Sequence, residues 1–407
     1  MELTIQPSKV SNSTVVITGS KSESNRLLLL QALFPQLEIQ NLSNSDDSQL
    51  MQKALNQSSN LVDIHHAGTA MRFLTAYFAS KPNNEVTLTG SKRMKERPIK
   101  ILVDALKSLG CDISYIENEG FPPLKITGKK WTNNKVVLKA NVSSQYISAL
   151  LLTAAKSEKG LTLVLEGEIT SVPYIKMTLN LLEQIGVDSS FEGNQIKVIP
   201  NVNSIADKTL VVESDWSSAS YYFSIVALSE LGTEITLSSY KEDSLQGDCI
   251  LAKIYEQFGV STVFKSNTIT LKKVSESYQP VKLDLINAPD IAQTIAVTAL
   301  VLGVECHMVG LHTLKIKETD RLVALKTEIE KLGGEVQIDN KSLLLKPHAV
   351  LKSNISIATY NDHRMAMAFA PIALKVPVTI EDAMVVSKSY PTFWEDLKAI
   401  GFKLTII

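Results

Sequence analysis

Along the 407-residue chain, segments with apolar residues three and four apart alternate with short segments in which apolar and polar residues take turns. One order recurs: an amphipathic helix, a glycine, a strand, a polar turn and a second strand. It reads "ILVDALKSLGCDISYIENEGFPPLKITG", "LNLLEQIGVDSSFEGNQIKVIP", "LAKIYEQFGVSTVFKSNTITLKK" and "LKTEIEKLGGEVQIDNKSLLLKP". The glycines Gly110, Gly186, Gly259 and Gly333 lie 76, 73 and 74 residues apart, and "WEDLKAIGFKLTII" closes the chain with a fifth, Gly401. Each sits just past a helix, where a left-handed backbone is favoured. The alternating segments that follow, such as "EVQID" and "SLLLK", predict hairpins.

A period this long is outside the range of short solenoid repeats and predicts α/β modules packed into globular domains. The chain holds about six of them, counting a degenerate first one around "DDSQLMQKALNQSSNLVDI", so two domains of three modules are expected. A strand runs into a serine-rich stretch at "VVESDWSSASYYF". That places the boundary there: residues 13–213 as the first domain, residues 1–12 with 214–407 as the second. The opening strand "MELTIQP" precedes the first full module and is expected to pair with the C-terminal half.

Composition narrows the class. The chain is 44% apolar and 20% charged, with a formal net charge of −1, which fits a globular protein and argues against a general nucleic-acid or membrane-surface binder. Cys111, Cys249 and Cys306 have no metal-ligand spacing, and their odd number suits a reducing cytoplasm. The start "MELTIQPSKVSNST" lacks the pattern of a signal peptide, and no window has the apolar length of a membrane span. A cytoplasmic protein is expected.

Against this neutral background, cations gather where loops turn into helices. "TGSKSESNRLLLL" places Lys21 and Arg26 about a helix beginning near Ser22, and "HHAGTAMRFL" places Arg72 in the first turn after Gly68. "GSKRMKERPIK" packs Arg93, Lys95 and Arg97 into one loop, and "KIKETDRL" spaces Lys317 and Arg321 i to i+4 around Glu318. In "YNDHRMAMAF" Asn361 is the expected N-cap with Arg364 in the first turn, while Lys388 precedes the last helix. Free N–H groups and a positive dipole end already favour an anion at such places, so the pattern predicts a site for several phosphate or carboxylate groups. Glu318 and Asp290, the latter in "NAPDIAQT", either balance the cations or supply acid/base chemistry. There is no P-loop, no dinucleotide fingerprint, and no HExxH or CxxC. His65–His66 lacks metal spacing, so neither metal nor cofactor is expected.

Taken in order, "GSKSESNR", "AGTAMR", "RMKERPI", "SSQYISALL", "SVPYI", "PDIAQT", "KETDRL", "NDHRMAMA" and "SKSYPTFWEDL" resemble the 5-enolpyruvylshikimate-3-phosphate synthase family from about residue 18 to residue 397. The resemblance implies an α/β (α+β) fold of two similar domains, each of three βαβαββ modules with helices inward and sheets outward, joined by a hinge across a cleft that closes on the ligands. It implies transfer of the enolpyruvyl group of phosphoenolpyruvate to the 5-hydroxyl of shikimate 3-phosphate through a tetrahedral adduct, by a monomer without cofactor. It assigns Lys21, Ser22, Arg26, Ser143, Ser144, Gln145, Ser171, Tyr174, Asp290 and Lys317 to shikimate 3-phosphate. Phosphoenolpyruvate falls to Lys21, Gly68, Arg97, Gln145, Arg321, Arg364 and Lys388, and Lys21, Asp290 and Glu318 become the acid/base candidates. With Gly68 retained, glyphosate is expected to compete with phosphoenolpyruvate.

The chain departs from the family pattern in carrying His66 for Asn, Phe73 for Pro and Thr313 for Asn. Two rivals are weighed. UDP-N-acetylglucosamine enolpyruvyl transferases usually have a reactive cysteine in the loop that here reads "GSKRMKERP" and contains none. A non-catalytic polyanion binder should be basic and rich in exposed aromatics, whereas aromatics are only 6% of this neutral chain.

Overall fold

All five glycines predicted to close helices take a left-handed backbone, with φ of 98° at Gly110, 80° at Gly186, 74° at Gly259, 98° at Gly333 and 117° at Gly401. At four of them the next N–H reaches a carbonyl five residues back: Cys111 to Leu106, Val187 to Leu182, Gly334 to Ile329 and Phe402 to Leu397. That bond satisfies an orphan carbonyl at the helix end and turns the chain into the following strand. The computed structural model describes residues 1–407 apart from 58, 140–142, 168, 170–171, 201–204 and 348–349.

The chain divides into Gly19–Val212 and a second unit made of Met1–Thr18 with Glu213–Ile407. Segment 13–18 therefore belongs with the C-terminal unit rather than the first domain. The reason is a short parallel pairing of Ser13–Val15 with Glu234–Ser238, with Thr14 opposite Thr236. Three residues carry too little periodicity for such a pairing to be read from the sequence.

Each unit repeats one sheet plan. In the N-terminal unit Leu61–Asp63 runs parallel to Glu85–Thr89, which pairs antiparallel with Leu124–Thr127, and Asp112–Tyr115 completes the edge. Lys135–Lys139, Leu161–Glu166, Gln195–Ile199 and Asp188–Glu192 repeat that order. A parallel pair needs a crossover and a tight antiparallel pair needs only a turn, so each sheet is the trace of a β-α-β-α-hairpin module. The remaining pair, Leu37–Gln40 with Lys208–Val211, is parallel and joins the two ends of this unit's chain.

The C-terminal unit has three such sheets. In the last, Leu3–Gln6 lies between Val378–Ile380 and Lys403–Ile406, the place that the final hairpin strand holds in the other sheets. The opening strand thus pairs with the C-terminal half, as expected.

The two helices of a module differ in burial. Gly68–Ser80 is buried from Gly68 to Ala79, and Trp216–Leu228 is buried at all but one position. The second helices, such as Lys100–Ser108 and Arg321–Lys331, keep an exposed face. The repeat visible in the sequence is carried by the second helices, because only a half-buried helix shows period 3.6 clearly.

Gly401 tests the closing geometry. A Cβ there would lie 2.5 Å from the Lys9 carbonyl, at a φ unsuited to side chains, whereas one at Gly193 would meet nothing within 4 Å. Gly401→Ala is expected to cost about 2–4 kcal/mol in denaturant unfolding, from left-handed strain plus overpacking. Gly193→Ala is expected to cost only about 1–2 kcal/mol from the strain alone. Equal costs would mean that the Lys9 contact relaxes freely.

Candidate functional site

In the N-terminal unit the helices Lys21–Leu33 and Gly68–Ser80 begin without any side-chain cap bond, after Ser20 and Ala67 respectively. Their first N–H groups are therefore not used by a cap, the arrangement that favours an anion. The first helix starts at Lys21, one residue before the expected Ser22, so Lys21 itself stands in the first turn.

Arg26 ties this end together. Its guanidinium donates to the Ser22 carbonyl at 2.6 Å, Thr178 Oγ1 at 2.8 Å, Ser148 Oγ at 2.9 Å and the Tyr174 carbonyl at 3.4 Å. The rings of Phe73 and Tyr174 lie 5.5 and 5.8 Å from it. Phe73 is fully buried and forms part of the arginine's seat. Burial pulls Arg26 down to about 10, against the opposing pull of Tyr174 and Glu23.

Gly68 and Arg97 also meet. A Cβ on Gly68 would lie 2.6 Å from Arg97 Nη1, so the absent side chain is what lets that guanidinium lie against the helix start. The other loop cations are engaged elsewhere: Arg93 pairs with Glu96 at 3.2 Å and Lys95 with Glu117 at 2.6 Å. Behind Gly68, buried Arg72 donates to the Gly68 carbonyl at 3.0 Å and to the Pro98 carbonyl at 3.4 Å. Burial, reinforced by Arg97, lowers Arg72 to about 10.

Ser143 caps the helix Ser144–Ala154, and Gln145 of that helix donates to Thr69 Oγ1 at 3.2 Å, joining two helix starts. Ser144 is buried, and Tyr174 sits in the first turn of Val172–Gln184. Ser171 lies outside the described residues. His66 Nε2, two residues before the helix Gly68–Ser80, is 3.9 Å from Oδ2 of Asp46, the first residue of the helix Asp46–Asn56.

The C-terminal unit gathers Asp290, Lys317, Glu318, Arg321, Arg364 and Lys388 into one network. Asp290 Oδ1 accepts from Arg321 Nη1 at 2.8 Å and lies 3.2 Å from Lys317 Nζ, and its Oδ2 is 3.4 Å from Arg364 Nη2. Arg321, 2% exposed, also holds Glu318 at 2.7 Å and Asp362 at 2.6 Å. Lys388 donates to the Asn361 carbonyl at 2.6 Å, one residue from Asp362. Burial alone lowers Arg321, but Asp362, Glu318 and Asp290 outweigh it and raise it above the usual arginine value.

Two local expectations change. Lys317 is not one turn before Arg321 on a helix: it is extended, with ψ of −151°, and the helix Arg321–Lys331 starts after Asp320, whose carboxylate caps it. The cap of His363–Phe369 is Asp362 rather than Asn361, which sits at φ 57°. Asp362 accepts from the Arg364 N–H at 2.9 Å and from Arg321, so one carboxylate both caps a helix and holds a buried guanidinium. Asp362 and Arg72 hold these helix starts together, although the sequence reading gives neither a ligand; each lies inside a motif it quotes.

The two sets differ in charge balance. Arg26 and Arg72 donate to carbonyls, hydroxyls and a thioether rather than to carboxylates. The C-terminal arginines are matched by three carboxylates. An anion adds most where no carboxylate already occupies the donors. Among the described residues no group of three or more His, Cys, Asp or Glu could hold a metal, and no helix is long and apolar enough to cross a membrane. Cys111 is a packed thiol, pushed up to about 12 by burial.

Comparison with known proteins follows the same lines. The profile described as EPSP synthase (3-phosphoshikimate 1-carboxyvinyltransferase) matches residues 55–397. The 3-phosphoshikimate 1-carboxyvinyltransferase of Bacteroides fragilis is 45% identical over 405 residues, covering 98% of each chain. That of Vibrio atlanticus is 37% identical over 428 residues, covering 98% of this chain and 99% of the relative. The solved EPSP synthase of Acinetobacter baumannii superposes with a TM-score of 0.81 over 100% of both chains at 19% identity, a likeness of fold.

The charge network sets an acid limit. Burial on its own raises Asp290, but Lys317, Arg364 and Arg321 outweigh it and hold the carboxyl well below its usual range. A depressed carboxylate contributes stability that is complete above its unfolded value, about 4, and is lost as pH falls through the folded value. Thermal unfolding followed downward from about pH 6 should therefore show wild type losing stability more steeply than Asp290→Asn below about pH 4. Parallel curves would mean that Asp290 is not held charged by its three cations.

Proposed function

The chain belongs to the EPSP synthase family, and on that premise we propose how its residues transfer the enolpyruvyl group of phosphoenolpyruvate to the 5-hydroxyl of shikimate 3-phosphate, with release of phosphate. The observation that supports the assignment of roles is the placement of most charged candidates at or beside helix starts in a chain of net charge −1, with Lys388 instead ending the short helix Ala383–Lys388. Both substrates carry a phosphate and a carboxylate, which matches cations segregated in this way.

In this reading Lys21, Ser22, Arg26, Ser143, Ser144, Gln145, Ser171 and Tyr174 take shikimate 3-phosphate, with Asp290 and Lys317 completing the set. Lys21, Gly68, Arg97, Gln145, Arg321, Arg364 and Lys388 take phosphoenolpyruvate. The methylene carbon of the donor gains a proton while the neighbouring carbon accepts the 5-hydroxyl oxygen. The tetrahedral adduct then loses phosphate and a methyl proton, restoring the double bond. Fixed cations stabilise the departing phosphate.

The electrostatics divide the proton work. Asp290 is held ionised by its cations, so it serves as an acceptor that orients and draws the 5-hydroxyl proton, not as the acid that protonates the methylene. That leaves Lys21 and Glu318 for the methylene proton. A monomer acting on small substrates in the cytoplasm fits this reading. The sugar-nucleotide alternative is not favoured: the loop 90–98 has no cysteine and the relatives named above are 3-phosphoshikimate transferases.

Phosphate release from phosphoenolpyruvate should require shikimate 3-phosphate and be absent with UDP-N-acetylglucosamine. Glyphosate should inhibit competitively against phosphoenolpyruvate. Gly68→Ala, which displaces the mobile end of Arg97 by its 2.6 Å contact, should raise KM for phosphoenolpyruvate about tenfold, near the value of one charge-assisted hydrogen bond. Release with the sugar nucleotide alone would overturn the acceptor. An unchanged KM in the variant would remove Arg97 from the donor's ligands.

A further inference from the structure

Next to the C-terminal network lies a buried carboxylate that the reaction as described does not use. Asp248, 2% exposed, sits in the short turn Gly247–Ile250. The Ser217 hydroxyl donates to its Oδ2, while its buried Oδ1 has no hydrogen-bond partner among the described residues. The same Ser217 oxygen accepts from Arg364 Nη2 at 3.2 Å. Arg364 Nη1 donates to the Asp290 backbone carbonyl, also at 3.2 Å, and its Nε has no partner among the described residues.

The guanidinium is thus held by a backbone carbonyl and a serine hydroxyl, with the Asp290 carboxylate 3.4 Å from the same Nη2 that meets the serine. A hydroxyl rotates freely unless something orients it. Here Asp248 takes the Ser217 hydrogen, which turns a serine lone pair toward Arg364. Ser217 is half-buried, so it bridges the buried acid and the more accessible arginine.

The frame around the pair is rigid. Glu213, 4% exposed, accepts from Trp216 Nε1 at 2.9 Å, the Lys241 N–H at 2.9 Å, Ser244 Oγ at 2.7 Å and Gln246 Nε2 at 3.2 Å. Gln246 in turn accepts from the Trp216 N–H at 3.0 Å. These bonds clamp loop 241–248 onto the start of the helix Trp216–Leu228, which carries Ser217. The charged groups facing Asp248 are Asp290, Arg364 and Asp215. Burial, then Asp290, pushes its carboxyl up to about 7, against Arg364 and the Ser217 hydrogen bond.

We propose that Asp248, acting through Ser217, is the positioning residue for Arg364 and so sets the enzyme's affinity for phosphoenolpyruvate. This rests on the reading of Arg364 as a ligand of that substrate. Asp248 touches no substrate; its work is to hold the hydroxyl that holds the arginine.

The test is a steady-state comparison of Ser217→Ala, Asp248→Ala, Asp248→Asn, the Ser217→Ala/Asp248→Ala double variant and Arg364→Gln. Ser217→Ala and Asp248→Ala should each raise KM for phosphoenolpyruvate about threefold to tenfold, the span of one net hydrogen bond. KM for shikimate 3-phosphate should stay within about twofold. The double variant should be no worse than the worse single variant, because both changes cut one chain of bonds. Asp248→Asn keeps an acceptor for the serine and should restore most of the loss. Equal rises in both KM values, additive losses, or a Ser217→Ala enzyme with wild-type KM for phosphoenolpyruvate would each overturn the proposal. Should Asp248→Ala fail to fold, Ser217→Ala decides alone. Arg364→Gln separates the two layers. If it leaves KM for phosphoenolpyruvate unchanged, the reading of Arg364 fails; if it raises KM while Ser217→Ala does not, the positioning role alone fails.

Discussion

A helix that starts in the interior must still satisfy the N–H groups of its first turn, and much of this structure follows from how that is done. Asp320 and Asp362 cap the helices Arg321–Lys331 and His363–Phe369 with carboxylates, and Ser143 caps Ser144–Ala154 with a hydroxyl. Lys21–Leu33 and Gly68–Ser80 have no side-chain cap, and their starts carry Lys21 and Arg26, or lie beside Arg97. Where a carboxylate caps the helix, the neighbouring arginine is already matched. Where none does, the helix start favours an anion.

The βαβαββ module makes this arrangement possible. Its parallel strand pair sends the first helix back through the interior, so the loop entering that helix falls at one end of the sheet. Lys21, Gly68, Gln145, Ser217, Asp290 and Arg364 occupy equivalent entries in different modules. Repetition of one fold unit therefore repeats a potential anion position, and divergence of a few side chains assigns each copy its own task. Phe73 illustrates the divergence: its aromatic ring forms part of the seat of Arg26.

Buried charge in the two units is handled by opposite means. Arg321 is held by three carboxylates, an arrangement that is costly to break once made. Arg26 and Arg72 are held by neutral oxygens and, for Arg72, a thioether, and burial lowers both to about 10. The first arrangement fixes the guanidinium by charge; the second fixes it by neutral acceptors and leaves its charge unneutralised by a carboxylate.

Much of this was legible in the chain. The glycine spacing marked the helix ends, because only a residue tolerant of positive φ closes a helix and turns at once into a strand. The cations at loop-to-helix junctions marked the candidate site, because charge segregated within a neutral sequence is visible without coordinates. Partners were not legible. That Leu3–Gln6 fills the last sheet, that Ser13–Val15 joins the C-terminal unit, that Lys317 reaches Asp290 from an extended segment, and that Asp248 faces Ser217 all depend on residues brought together from distant parts of the chain. Local propensity and periodicity act over a few residues, whereas these contacts are chosen by sheet order and packing. The sequence by itself determined which residues could form the modules and carry the charge; tertiary structure decided which of them meet.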